Sequence, residues 1–193
     1  PTPAKLDQYE IAGKKVGLLG LGYVGRRSAA LFRAVKAEVY AYDPYVSAEQ
    51  MAAAGVRKAG LREIMSQCQV VSVHLPVTPE THHMLGAKEL ALLQDGCVFI
   101  NTARSWVIDQ DALLAELRRG RFWAALDVFD TEPLPVDHPY RTLDNVVLSP
   151  HVAGMTRDSY YGLTATMLEE IERFFRGEPL HHQVTREALE RMA

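Results

Sequence analysis

Three ionisable residues stand just beyond three separate apolar runs: Arg104 four residues past Ile100, Glu132 four past Val128, and His151 three past Leu148. If those runs are parallel strands, the three positions share the carboxyl edge of one sheet, where open α/β folds bind ligands. As a set they suit an anionic hydroxy or keto acid. Arg104 can grip a carboxylate with two parallel hydrogen bonds and polarise a neighbouring carbonyl. His151 can give or take a proton near neutral pH, while Glu132 can orient the imidazole and favour its protonated form. A second signal lies upstream in Gly20-Leu21-Gly22-Tyr23-Val24-Gly25, a GxGxxG between an apolar run and a helical pattern. The first glycine permits a tight turn, the second lets backbone approach a pyrophosphate at a helix amino terminus, and the third allows close packing. Asp43 follows 18 residues after Gly25, at the end of the next apolar run, where a carboxylate accepts hydrogen bonds from an adenosine ribose. The same charge repels a 2′-phosphate and so favours NAD over NADP.

These residues need a scaffold, and the periodicity supplies one. Lys15 to Leu19, Val39 to Tyr42, Val70 to Val73, Cys97 to Ile100, Phe122 to Val128 and Val146 to Leu148 read as short strands. Between and after them, helical patterns run over Tyr23 to Lys36 (apolar at Val24, Leu31 and Val35), Ser47 to Ala54, Leu61 to Gln67, Ala87 to Leu93, Asp109 to Arg119 and Arg157 to Arg176. Ser47 and Asp109 stand as caps, and Gly55, Gly120 and Gly177 as stops. Strands apolar on both faces and alternating with helices predict an α/β fold, a Rossmann-like doubly wound parallel sheet with helices on both faces. The expected division is a lead-in over 1–12, a dinucleotide-binding domain over 13–176 and a carboxyl-terminal tail over 177–193. The stripe Leu163, Met167, Ile171 and Phe174 on the last helix is expected to pack into the core.

Composition excludes several classes. The 193 residues are 48% hydrophobic with a formal net charge of −3, which argues against disorder and against a basic nucleic-acid binder. No apolar run approaches the roughly 18 residues of a membrane span, and the first ten residues lack a signal-peptide pattern. Cys68 and Cys97, the two cysteines, make no CxxC motif and read as reduced, partly buried thiols of a cytoplasmic protein. His82-His83 and His181-His182 are expected in solvated segments with no metal. His74 ends a strand and reads as a structural, partly buried imidazole.

At these same residues the chain resembles the D-isomer-specific 2-hydroxyacid dehydrogenase family, in its cofactor-binding domain. The likeness runs from about Gly13 to Val184 through GKKVGLLGLGYVGR, AYDPY, HLPVTPETHHML, INTARSWVIDQDAL, ALDVFDTEPLP, LSPHVAG and RFFRGEPL. It implies hydride transfer between NAD(H) and a 2-hydroxy or 2-keto acid, with Arg104 as carboxylate binder, His151 as acid/base and Glu132 as its partner. It also implies cofactor contacts from Gly20, Gly22, Tyr23, Val24, Gly25 and Asp43, then from Leu75, Pro76 and Thr81. Around the nicotinamide end it implies Thr102, Ala103, Arg104, Asp127 and His151, with Val152, Ala153 and Gly154. Asp127 has the alternative of a buried strand-end residue. A homodimer is the expected assembly, with a small 2-hydroxy or 2-keto acid as partner and neither nucleic acid nor membrane.

Two departures from the family pattern stand out. Ser105-Trp106 replaces the usual glycine after the arginine, which bears on how Arg104 is aimed. The family's substrate domain is expected to be absent from this chain, either because the chain is an excised piece or because the protein works without it. Weak or no turnover by these residues alone follows. Two other readings share the fold. A dinucleotide-sensing or corepressor-like scaffold has no need of Arg104, Glu132 and His151. A nucleotide-sugar dehydrogenase, suggested by GLGYVG, needs a cysteine nucleophile, and neither Cys68 nor Cys97 follows a strand.

Overall fold

In the computed structural model, which describes residues 10–189, the alternating pattern becomes seven strands and seven α-helices. In chain order they are β1 (Lys15–Leu19), α1 (Tyr23–Ala34), β2 (Glu38–Tyr42), α2 (Ala48–Ala53), β3 (Arg57–Lys58), α3 (Leu61–Gln67) and β4 (Val70–Val73). There follow α4 (Ala87–Leu90), β5 (Val98–Asn101), α5 (Gln110–Leu117), β6 (Trp123–Leu126), β7 (Val146–Leu148), α6 (Arg157–Arg176) and α7 (Arg186–Leu189). Every pairing is parallel and the sheet order is β3-β2-β1-β4-β5-β6-β7. All carboxyl ends therefore lie on one edge. The chain order reverses between β1 and β4, which opens the crevice where such sheets take ligands.

Strand periodicity divides the core in two. Val16 and Leu18 of β1 enter a smaller core with Ala29 of α1 and Met51 of α2, whereas Leu19 enters a larger one with Ile64 and Met65 of α3, Leu90 of α4, and Leu113 and Leu117 of α5. Each of the Val, Leu, Ile and Met side chains fully removed from water contributes about 1.5–3 kcal/mol. Local signals set the helix ends. Ser47 closes a capping box with Gln50 at α2, and the Asp109 carboxylate accepts from Ala112 N at α5. The face holding the smaller core is covered only in part. Across β5 to β7 it bears Val98, Trp123 and Val147, and Trp123 is 52% exposed.

Several expectations are corrected. The stripe Leu163, Met167, Ile171 and Phe174 is not core: each residue is at least half exposed, and α6 buries none of its side chains. The helix leaves the sheet after β7, and no described element lies against that face. In α1 the inward residues are Gly25 and Ala29, with Phe32 partly buried, while Val24, Leu31 and Val35 face outward. Small residues let this helix approach β1 closely, which large apolar ones would prevent. Cys68 and Cys97 are fully buried rather than partly so, and burial pushes the Cys68 thiol up to about 11. The two-residue β3, the short α7 and the 3-10 turns at Ser105–Val107 and Pro139–Thr142 carry too few residues to show a period. Helix α4 and strand β6 are shorter than their patterns suggest, and β5 begins at Val98 instead of Cys97. Of the lead-in, residues 1–9 lie outside the described residues, as do 190–193 of the tail. The tail's start folds back on α6, where the Glu170 carboxylate accepts from His181 N and His182 N.

Candidate functional site

The glycine turn joins β1 to α1. Gly20 has φ +98°, and a Cβ there would stand 2.7 Å from the His74 carbonyl at the end of β4. A Cβ on Gly25 would collide with the Gly20 carbonyl. Gly22 differs from both. It is the N-cap of α1, makes no side-chain cap, and a Cβ on it would project into open space. With no acidic residue in its first turn, α1 presents unsatisfied amides and the positive end of its dipole at that opening. This is the cradle a pyrophosphate requires. Tyr23 and Val24 stand exposed beside it.

Asp43 ties the cradle to β2. Its Oδ2 accepts from Leu21 N at 2.8 Å and its Oδ1 from Tyr45 N at 2.9 Å. One carboxylate thus fixes both sides of the crevice and keeps further lone pairs for hydroxyl donors. A cleft of about 180 Å³ runs from Gly20, Gly22 and Asp43 to Leu75, Pro76 and Thr81. Thr81 shapes its far wall by donating to Pro76 O at 2.6 Å and accepting from Thr78 N at 2.8 Å. His74 also lines the cleft. Its Nε2 is buried without a hydrogen-bond partner among the described residues, and burial lowers its pKa to about 4, so the ring stays neutral.

At the next strand end Asn101, 1% exposed, accepts from Ala103 N at 3.0 Å and donates to Arg104 O at 3.0 Å. The 102–104 turn is thereby pinned, with Thr102 exposed and Ala103 half-buried. The Arg104 guanidinium reaches solvent, and its Nη1 donates to Ala103 O at 2.7 Å. Arg104 makes no ion pair with Glu132 or His151. Ser105 opens the 3-10 turn without a positive φ. Trp106 packs edge-on against His82.

Asp127, one residue past β6, is 1% exposed. It accepts from Ser149 Oγ at 2.5 Å, Val152 N at 2.9 Å and Ala153 N at 3.1 Å. Burial opposes its charge, yet these three donors and nearby His151 hold its carboxyl below the usual range. The same bonds fasten the segment that carries His151, whose φ of +54° turns the chain sharply. Residues 152–154 continue that segment at the surface.

The structure brings Glu132 and His151 together: Oε2 and Nδ1 are 2.7 Å apart. Glu132 Oε1 accepts from Phe129 N at 3.0 Å, so the carboxylate cannot swing away without losing a second bond. The His151 contact first, then that backbone donor, keep the Glu132 carboxyl below its ordinary range. An ionised carboxylate only accepts, so Nδ1 carries hydrogen and Nε2 is left to give or take a proton. The side chains are 49% and 36% exposed, open to a substrate. Sequence reasoning missed Asn101 and Ser149, which organise the two loops. Their signal was a polar residue closing each apolar run, VFIN and VVLS. Among the described residues no cluster of His, Cys, Asp and Glu gathers for a metal.

Comparison with known proteins agrees with this geometry. A family model described as D-isomer specific 2-hydroxyacid dehydrogenase, NAD binding domain, matches residues 2–153. The chain is 35% identical over 182 residues to a D-3-phosphoglycerate dehydrogenase of Archaeoglobus fulgidus, covering 94% of this chain and 34% of that protein. Apo D-mandelate dehydrogenase of Rhodotorula graminis superposes with a TM-score of 0.83 at 29% identity, over 92% of this chain and 53% of that one. D-lactate dehydrogenase with NAD+ from Lactobacillus jensenii gives a TM-score of 0.82 at 28% identity, over 96% and 60%. The chain spans about a third to a little over half the length of the curated relatives it matches. Residues 2–153 and the sheet they build place this chain in the D-isomer-specific 2-hydroxyacid dehydrogenase family, as its NAD-binding domain.

Proposed function

We propose that the chain is the cofactor-binding and catalytic-residue-bearing part of an oxidoreductase that moves a hydride between NAD(H) and a 2-hydroxy or 2-keto acid. The observation that carries this reading is the 2.7 Å Glu132–His151 pair on the same sheet edge as the glycine cradle. When bound, the dinucleotide supplies the hydride to carbon 2 or takes it back. Gly20, Gly22, Tyr23, Val24 and Gly25 hold its pyrophosphate, Asp43 its ribose, and Leu75, Pro76 and Thr81 its middle. Thr102, Ala103, Arg104, Asp127, His151, Val152, Ala153 and Gly154 surround its reactive end. In reduction, Arg104 releases Ala103 O and receives the substrate carboxylate, an exchange of one acceptor for a stronger, charged one. His151 gives the proton on Nε2 to the carbonyl oxygen as carbon 2 gains the hydride. The neutral imidazole then regains a proton from solvent. Glu132 orients the ring and offsets its positive charge.

NAD rather than NADP is part of the proposal, because the Asp43 carboxylate would stand against a 2′-phosphate. So are the division at residues 12 and 176, a cytoplasmic location, and a homodimer to which the exposed stripe of α6 lends support. Light scattering at rising concentration measures the last; a constant monomer mass refutes it. The activity is tested on the whole protein by 2-keto-acid-dependent loss of NADH absorbance. His151→Ala is expected to abolish it, and undiminished turnover would remove His151 from the role.

A further inference from the structure

A concavity separate from the dinucleotide cleft lies beside the Glu132–His151 pair. It encloses about 550 Å³ between the 129–134 loop, the end of β7 and Arg141. Small-molecule sites usually measure about 300–1,000 Å³. Its walls are mainly apolar, from Phe129, Pro133, Leu134, Leu148 and Pro150, and Glu132 and His151 close one side. Arg141 is the one guanidinium among these wall residues. Its Nε donates to Pro135 O at 2.8 Å and its Nη2 to Leu134 O at 2.7 Å. Two backbone carbonyls thus fix the guanidinium plane, and Nη1 has no protein acceptor among the described residues. Nothing in the proposed hydride transfer uses Arg141. The Glu132 oxygens are already committed to His151 and Phe129 N, and Ser149 Oγ to Asp127. Beside His151 Nε2, which the proposed hydride transfer uses, Arg141 is the wall's free donor.

We propose that this cavity is a second ligand site, for a monocarboxylic acid with an apolar body. The carboxylate pairs with Arg141, and the body fills the space against Leu134 and Leu148. Because the Glu132–His151 pair forms part of the wall, the occupant touches the groups that set the imidazole's protonation. The site thereby couples acid binding to the chemistry next door. Binding of the acid stands on the cavity and Arg141 alone, whereas its coupling to His151 rests on the proposed hydride transfer.

The test is a titration of the chain with 3-phenylpropionate, which has no 2-oxo or 2-hydroxy group, followed by backbone amide NMR shifts. The matched probe is the neutral 3-phenylpropionamide. Saturable shifts at residues 129–134 and 148–151 are expected, with the acid binding about tenfold more tightly than the amide, as one charge-assisted hydrogen bond warrants. Arg141→Gln, at an exposed position, should erase that preference, and Arg104→Gln should leave it intact. Equal binding of acid and amide overturns the proposal, as does a preference that survives Arg141→Gln. Loss of the preference with Arg104→Gln also overturns it by placing the acid at the proposed substrate position. Retained NADH binding alongside any of these results confines the failure to this cavity.

Discussion

Replacing Asp127 by asparagine exchanges one oxygen for NH2, yet the consequences reach the His151 segment. The carboxylate is buried and accepts from Ser149 Oγ, Val152 N and Ala153 N. However the amide is turned, its NH2 meets a donor that needed an acceptor. One bond is lost outright, and the others fall from charged to neutral strength. Bonds to charged groups contribute about 1.5–3 kcal/mol each, and water can satisfy the exposed 152–153 amides in part. The expected cost is roughly 2–4 kcal/mol, or about 5–15 °C in Tm for a domain of this size. The pH dependence gives an independent check. Because the folded carboxyl titrates below its unfolded value, its contribution is fully present above about pH 4. It is lost as pH falls through the folded value. Thermal unfolding by circular dichroism at neutral pH and again at acid pH should show a large gap between wild type and Asp127→Asn that narrows in acid. A neutral-pH gap below about 2 °C, or one that does not narrow, would refute the reasoning.

Gly22→Ala should leave Tm unchanged within about 1 °C, since its Cβ meets open space, yet weaken NADH binding at least about tenfold by fluorescence titration. Gly25→Ala should instead destabilise the fold by about 1–3 kcal/mol, because the added carbon collides with the Gly20 carbonyl; denaturant unfolding measures this. Glu132→Gln removes the negative charge 2.7 Å from Nδ1. In the whole protein it should move the alkaline fall of 2-keto acid reduction to lower pH, and an unmoved profile would exclude Glu132 from its role.

The fold was legible because strand and helix periods are strong where both faces of a strand are buried. Val70 to Val73 reads as a strand because α3 and α4 cover one side and the smaller core the other. Legibility failed where burial is decided by the rest of the fold. An apolar stripe on α6 has the pattern of a core helix, but periodicity records only that a face is apolar, not whether anything covers it. The two-residue β3 joins the sheet through backbone bonds to β2 alone, which no side-chain pattern encodes. At the site, residue type and spacing foretold which strand ends would converge. They could not foretell that Asn101, Ser149 and Asp127 would be occupied with the loops that carry Arg104 and His151. The Asp127 bonds to Ser149, Val152 and Ala153 join segments more than twenty residues apart, whereas the Asn101 bonds to Ala103 and Arg104 are local but depend on a turn that residue type alone does not specify.

A structure of this chain with NADH bound tests the central claim most directly. The predicted result has the adenosine ribose against Asp43, the pyrophosphate at Gly22 over the start of α1, and the nicotinamide beside His151. A dinucleotide seated away from the glycine turn, or lying in the opposite direction with its nicotinamide against Asp43, would contradict the account.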